Sequence, residues 1–159
     1  MYNCPESKVE NVINSRLFNS HFMAKRKSKI IIDTNLWISF LLTSQYSKLD
    51  SLFIKGDVKL LFSQELLEEF IAVIQRPKFK KYFSSEDLDK LLVQIGNLAE
   101  SIEVKENVEI CRDPKDNFLL ALALASKATH LLTGDKDLLS LKTFGKTKIL
   151  TLSSFLREK

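Results

Sequence analysis

The stretch Lys29-Ile30-Ile31-Ile32-Asp33-Thr34-Asn35 decides the fold. A continuous run of β-branched residues, with no polar alternation, reads as a strand covered on both faces, as in a parallel sheet. The run stops abruptly at a carboxylate. In open α/β sheets ligands bind just beyond the carboxyl ends of the strands. Asp33 therefore stands where chemistry is to be expected, with Thr34 and Asn35 as neighbouring polar handles.

Outward from this strand, apolar runs and helical stripes alternate. A first strand over 30–33 is followed by one or two helices within 36–54 and a second strand over 58–62, bounded by Gly56-Asp57 and Ser63. Ser63 suits an N-cap, because its hydroxyl can satisfy an orphan amide of the first turn. The helix after it runs to about Gln75 and stops before Pro77, which disfavours helix at the residue preceding it. Ser84 or Ser85 caps another helix, on which Leu88, Leu91, Leu92, Ile95 and Leu98 make one apolar stripe. A third strand is expected over 101–104, an apolar helix over 117–128 and a fourth strand over 129–132. A short helix over 134–141, a fifth strand over 148–152 and a terminal turn over 153–157 complete the pattern. Such alternation argues for an α/β fold, a three-layer α/β/α sandwich on a mostly parallel sheet. Residues 1–28 read as an N-terminal extension, with a helical tendency over 9–18, and residues 29–159 as the domain.

Composition narrows the function classes. A chain of 159 residues, 45% hydrophobic and 28% charged, suits one ordinary globular domain. No apolar run approaches the roughly 20 residues that cross a bilayer, so no membrane partner is expected. Residues 1–10 lack the apolar segment of a secretory signal. Cys4 and Cys111 form neither a disulfide framework nor a metal-binding spacing, which leads to the expectation of a reduced, cytoplasmic setting. The net charge of +4 permits a nucleic-acid partner without demanding one. Cations gather at 25–29, 76–83 and 142–148, where Phe79, Tyr82 and Phe83 interleave with Arg76, Lys78, Lys80 and Lys81. Those aromatics can stack unpaired bases. The stronger expectation is that they anchor the segment to the core while the lysines face water.

Four places set a carboxylate at a strand end or a helix start. Asp33 is the first, with a turn or capping role as its plainer explanation. On the helix after Ser63, Leu66, Leu67, Phe70, Ile71 and Ile74 form the buried stripe, which leaves Glu65 solvated and Glu68 and Glu69 at its margins. Glu69 has the more apolar flank. In Asp113-Pro114-Lys115-Asp116-Asn117, Asp113 fits N-cap and Pro114 fits N1, so Asp116 is the better candidate for chemistry. The helix beyond is apolar all round and must be buried. In Thr133-Gly134-Asp135-Lys136-Asp137, Asp135 follows its strand as Asp33 follows its own, and Asp137 suits the cap of the next helix. Carboxylates meeting at one sheet edge would repel each other, and a divalent cation such as Mg²⁺ or Mn²⁺ would relieve that repulsion in an all-oxygen site. His21 and His130 are isolated and offer no zinc cluster.

The ordered set Asp33-Thr34-Asn35, Ser63-x-x-Leu-Leu-x-Glu69 with Arg76-Pro77-Lys78, Asp113-Pro-Lys-Asp116-Asn and Thr133-Gly134-Asp135-Lys-Asp137-Leu resembles the PIN-domain family. The likeness is closest to the toxin components of bacterial toxin–antitoxin pairs, the VapC-like ribonucleases, and spans roughly 29–155. It implies a PIN-like sandwich with a five-stranded parallel sheet and Mg²⁺- or Mn²⁺-dependent endonuclease activity on RNA. Carried over residue by residue, it implies an acidic site of Asp33, Glu69, Asp116 and Asp135, with Asp113 or Asp137 accessory. Thr34, Asn35 and Thr133 would be polar supports. It further implies a homodimer and an antitoxin partner. A phosphatase of the haloacid-dehalogenase type would want an acid where Asn35 stands, and a response-regulator receiver would want paired acids on the first strand. The alternative from another class is a catalytically degenerate PIN-like module that binds RNA or protein.

Overall fold

A computed structural model describes residues 26–43 and 47–159. The proposed extension, with Cys4, His21 and the helical tendency over 9–18, lies outside them almost entirely. Six strands are formed among the described residues: β1 (Ser28–Ile32), β2 (Val58–Phe62), β3 (Ala99–Ser101), β4 (His130–Leu132), β5 (Thr143–Phe144) and β6 (Thr147–Leu150). Between them run α1 (Thr34–Thr43), α2 (Ser47–Ile54), α3 (Gln64–Ile74), α4 (Pro77–Lys80), α5 (Ser85–Leu98), α6 (Pro114–Ser126), α7 (Lys136–Leu141) and α8 (Leu152–Arg157). The sheet order is β3-β2-β1-β4-β6-β5, parallel throughout except for the β5–β6 pair. The α/β architecture expected from the sequence is present, with six strands in place of five. The extra one is the two-residue arm of a tight hairpin turning at Gly145, whose φ of +57° suits glycine.

The triple isoleucine is at the centre of this sheet. Ile30, Ile31 and Ile32 are all fully buried, with β2 on one side and β4 on the other. Two faces of helices close over them, which is why the run needed no polar alternation. The chain steps from β1 through β2 to β3 in one direction, then returns to lay β4 on β1's opposite side. The order therefore reverses between β1 and β4, the point at which open α/β sheets leave a crevice beyond their carboxyl ends.

Local sequence explains most boundaries. The Ser63 hydroxyl accepts from the Leu66 amide at 3.2 Å, and Ser84 forms a reciprocal capping box with Asp87. Helix α6 is buried from Leu119 to Ala123, but Leu124 is 51% exposed, so it is not covered on every side as its composition suggested. Strand β3 begins two residues earlier than expected because α5 ends directly in extended backbone at Ala99. Away from the sheet edge, a cavity of about 370 Å³ lies under α5, lined by Trp37, Leu41, Phe53, Leu60, Tyr82 and Leu91. Trp37 Nε1 is buried with no hydrogen-bond partner among the described residues. No helix among the described residues is long and apolar enough to cross a membrane.

Candidate functional site

Asp33 ends the ladder and starts the next helix. Its amide donates to the Leu132 carbonyl at 3.0 Å, and its own carbonyl accepts from the Trp37 amide at 3.0 Å. Both carboxylate oxygens are engaged. Oδ1 accepts from the Asn35 amide at 3.1 Å, and Oδ2 from the Thr133 hydroxyl at 2.7 Å. Asp33 is 7% exposed and Thr133 1%, so the bond across the β1–β4 crevice is sheltered from water. Each oxygen keeps a lone pair directed elsewhere. The capping role is thus filled by the same side chain that stands at the crevice.

Thr133 is the hinge pin of this edge. While donating to Asp33, its hydroxyl accepts from the Asp135 amide at 3.0 Å. Asp135 then caps α7, its Oδ1 accepting from the Asp137 amide at 2.7 Å and the Leu138 amide at 3.2 Å. The cap expected of Asp137 belongs to Asp135, and Asp137 is left exposed. Asp113 caps α6 as its sequence suggested, with Oδ1 accepting from the Lys115 amide at 2.9 Å. Helices α1, α6 and α7 therefore start at this edge with their partial positive ends toward the carboxylates, which favours negative charge there.

Glu69 approaches from α3. Its Oε2 accepts from the buried Thr34 hydroxyl at 3.4 Å, and its Oε1 lies 2.9 Å from Lys115 Nζ. Glu68 is exposed and bonds Gln64 on the outer face of the same helix, so the flank argument for Glu69 holds. Asn117 organises the approach loop. Its Oδ1 accepts from the Ile110 and Cys111 amides at 2.8 and 2.7 Å, and its Nδ2 donates to the Cys111 carbonyl at 2.8 Å.

Electrostatics couple these segments. Burial raises the Asp33 carboxyl above its ordinary range; the Thr133 and Asn35 hydrogen bonds offset part of this, and the charges of Glu69 and Asp135 add to it. Asp116 is pushed up to about 6, first by burial, then by the charges of Asp135, Asp113, Asp33 and Asp137. Burial and the charges of Asp116, Asp137, Asp135 and Asp113 raise the Cys111 thiol, which keeps it protonated and a poor metal ligand. The donors left are carboxylate and hydroxyl oxygens, a set that fits a hard divalent cation. Among the described residues, however, no three acidic, His or Cys side chains are grouped closely enough to hold an ion as they stand.

The basic groups are elsewhere. Arg26 and Lys27 precede β1, Lys146 and Lys148 open β6, and the segment 76–81 follows the far end of α3. That helix leaves the carboxyl edge at Ser63 and runs about 16 Å back along the sheet. All three groups thus border the amino edge, opposite the acids. Phe79 and Phe83 pack against the core, as expected, while Tyr82 is 57% exposed. Among the described residues, the cations paired with acids at this edge are Lys115 and Arg112, whose Nη2 is 4.0 Å from Asp137 Oδ2. Sequence reasoning gave neither a role, although a lysine between two acids at a helix start was a usable signal. His130 is a packed strand residue, its ring 4.9 Å from that of Phe155.

A family model described as PIN domain matches residues 29–137, from the first residues of β1 to the start of α7. This chain belongs to the PIN-domain family. An uncharacterized protein of Methanocaldococcus jannaschii is 34% identical to it over 127 residues, covering 78% of this chain and 81% of that one. PIN domains are generally nucleases. The matched span includes all four segments that bring acids to the crevice.

Proposed function

We propose that this PIN domain is an endoribonuclease dependent on Mg²⁺ or Mn²⁺, with Asp33, Glu69, Asp116 and Asp135 as the acids that would hold the cation. The observation that carries this reading is crowding at one end of the sheet: the charges of Glu69 and Asp135 add to the rise of the Asp33 carboxyl, and those of Asp135, Asp113, Asp33 and Asp137 to that of Asp116. Bound there, a divalent cation would lower the pKa of a water and neutralise charge developing on a phosphodiester. The chain's own groups do the rest. Thr133 fixes the carboxylate of Asp33, Thr34 steadies Glu69, and Asn117 holds the loop before α6 in place. Arg112 stands at the lip with its guanidinium almost fully exposed, where a backbone phosphate can meet it.

The role of toxin in a toxin–antitoxin pair, an antitoxin partner and a homodimer are supported by the resemblance of the ordered motifs. A cytoplasmic setting is supported by the cysteine count. The competing reading, a degenerate module that binds RNA without cutting it, is favoured by one observation: Glu69 is already paired with Lys115. Divalent cations separate the two. Cleavage of a fluorescent single-stranded RNA is expected with Mg²⁺ or Mn²⁺ and none with EDTA; activity undiminished in EDTA would reject the mechanism.

A pH dependence follows. Cations compete with protons for carboxylates. With Asp116 at about 6, its ionised fraction falls roughly fourfold between pH 7.5 and 5.5. Mn²⁺ affinity, measured by calorimetry in the absence of RNA, should fall by at least this factor over that range, with proton release on binding. A flat profile would remove Asp116 from the ligand set.

A further inference from the structure

Lysine at the second position of a helix is electrostatically misplaced, since the helix start carries partial positive charge. Lys115 occupies that position in α6, where its amide is already held by Asp113. Its side chain, 59% exposed, reaches across to α3 and sets Nζ 2.9 Å from Glu69 Oε1, while the Glu69 side chain is only 28% exposed. The long methylene stem makes this reach possible from a backbone fixed between two acids. The helix gains nothing from a lysine here. The acidic pocket does.

We propose that Lys115 is a tethered counter-cation that holds Glu69 while the pocket is empty and yields it when a divalent cation binds. This rests on the reading of the pocket as a metal site. A divalent cation taken up by Glu69 Oε1 would stand close to the Lys115 ammonium now 2.9 Å from that oxygen, and the repulsion between the two cations favours release of the lysine. Once released, the ammonium stays at the lip of the crevice on its stem, free to meet a phosphate of the substrate. Lys115 thus sets the affinity for the cation, and substrate and cation together favour its displaced position.

The test is Mn²⁺ binding alone, without RNA, on the full chain by calorimetry or paramagnetic resonance. Lys115→Met should bind Mn²⁺ about two- to fivefold more tightly than the parent chain, the scale of a partly exposed ion pair. Lys115→Gln should behave alike, and thermal melts check that both variants are folded. In a Glu69→Gln background the same Lys115→Met change should alter affinity by less than about half that factor, because the pair it breaks is gone. Equal or weaker binding by Lys115→Met overturns the exchange while leaving the metal reading intact. A gain that persists undiminished beside Glu69→Gln also overturns it, since the effect is then the general field of one charge. No Mn²⁺ binding by the parent chain at millimolar concentration ends both readings.

Discussion

Asp33→Asn is expected to lower RNA cleavage by on the order of a thousandfold or more while leaving the domain folded. The substitution is nearly isosteric, so the argument turns on hydrogen bonds and charge. The Asn carbonyl can keep the bond from the Asn35 amide that Oδ1 now accepts. Its amide nitrogen replaces Oδ2 and must donate, so the Thr133 hydroxyl turns round to accept it. A hydroxyl has two acceptor sites, which lets it keep the Asp135 amide as well. Each of these heavy atoms keeps a partner, although the Thr133 hydroxyl proton gives up the acceptor it had in Oδ2. What is lost is the negative charge that a divalent cation requires.

Stability moves the other way. The folded state raises the Asp33 pKa, chiefly by burial, so the native protein binds this proton more tightly than the unfolded chain does. At pH values below the unfolded carboxylate range, both states are protonated and there is no penalty. The ionised group opposes folding increasingly as pH rises through the unfolded carboxylate range, and the penalty is complete only above the raised value. Asn removes it. The melting temperature at pH 7.5 should therefore be unchanged or a few degrees higher, with activity gone. Parent-like cleavage by a folded Asp33→Asn protein would refute the mechanism. A large loss of melting temperature would instead make Asp33 a structural residue.

How much of this was legible in the chain depends on which kind of information a residue carries. The triple isoleucine, the Ser63 cap and Asp113-Pro114 are local signals with local consequences, and the structure has them where the sequence put them. The choice of Glu69 over Glu68 was also local, a matter of which helix face is apolar. The register between β1 and β4 was not. It brings Asp33 and Thr133 together across 100 positions of sequence, which no periodicity encodes. The short α4 and the β5 arm escaped notice because elements of a few residues have no period to detect. The third strand begins two residues earlier than expected because the helix before it runs through Gly96-Asn97 and passes directly into extended backbone at Ala99. The basic groups are ambiguous for a different reason. Their composition permits a nucleic-acid partner without demanding one, and topology alone decides which edge of a parallel sheet a connection reaches; it sent all three to the amino edge.

Thr133→Val probes that non-local contact. Valine keeps the shape and removes the hydroxyl, so Asp33 Oδ2 loses its donor at 2.7 Å and the Asp135 amide its acceptor at 3.0 Å. At 1% exposure no water can replace it easily. Leaving such groups unpaired should cost about 1–3 kcal/mol of stability, read from chemical denaturation. The chemistry should suffer separately. Donation from Thr133 is the main effect holding the Asp33 carboxyl down against burial, so its removal raises that pKa further. A larger fraction of Asp33 is then protonated at any given pH. The acid limb of the cleavage profile should move to higher pH, and Mn²⁺ affinity at pH 7 should weaken by about ten- to a hundredfold. Thr133→Ser, which restores the hydroxyl without the methyl, should return the pH profile and the Mn²⁺ affinity while recovering only part of the stability. That split matters, because a residue that merely packs the crevice would show the reverse: stability tracking the methyl, and a pH profile indifferent to the hydroxyl. If Thr133→Val keeps the parent's acid limb and Mn²⁺ affinity, the bond between the two strands is a brace of the fold and plays no part in tuning Asp33.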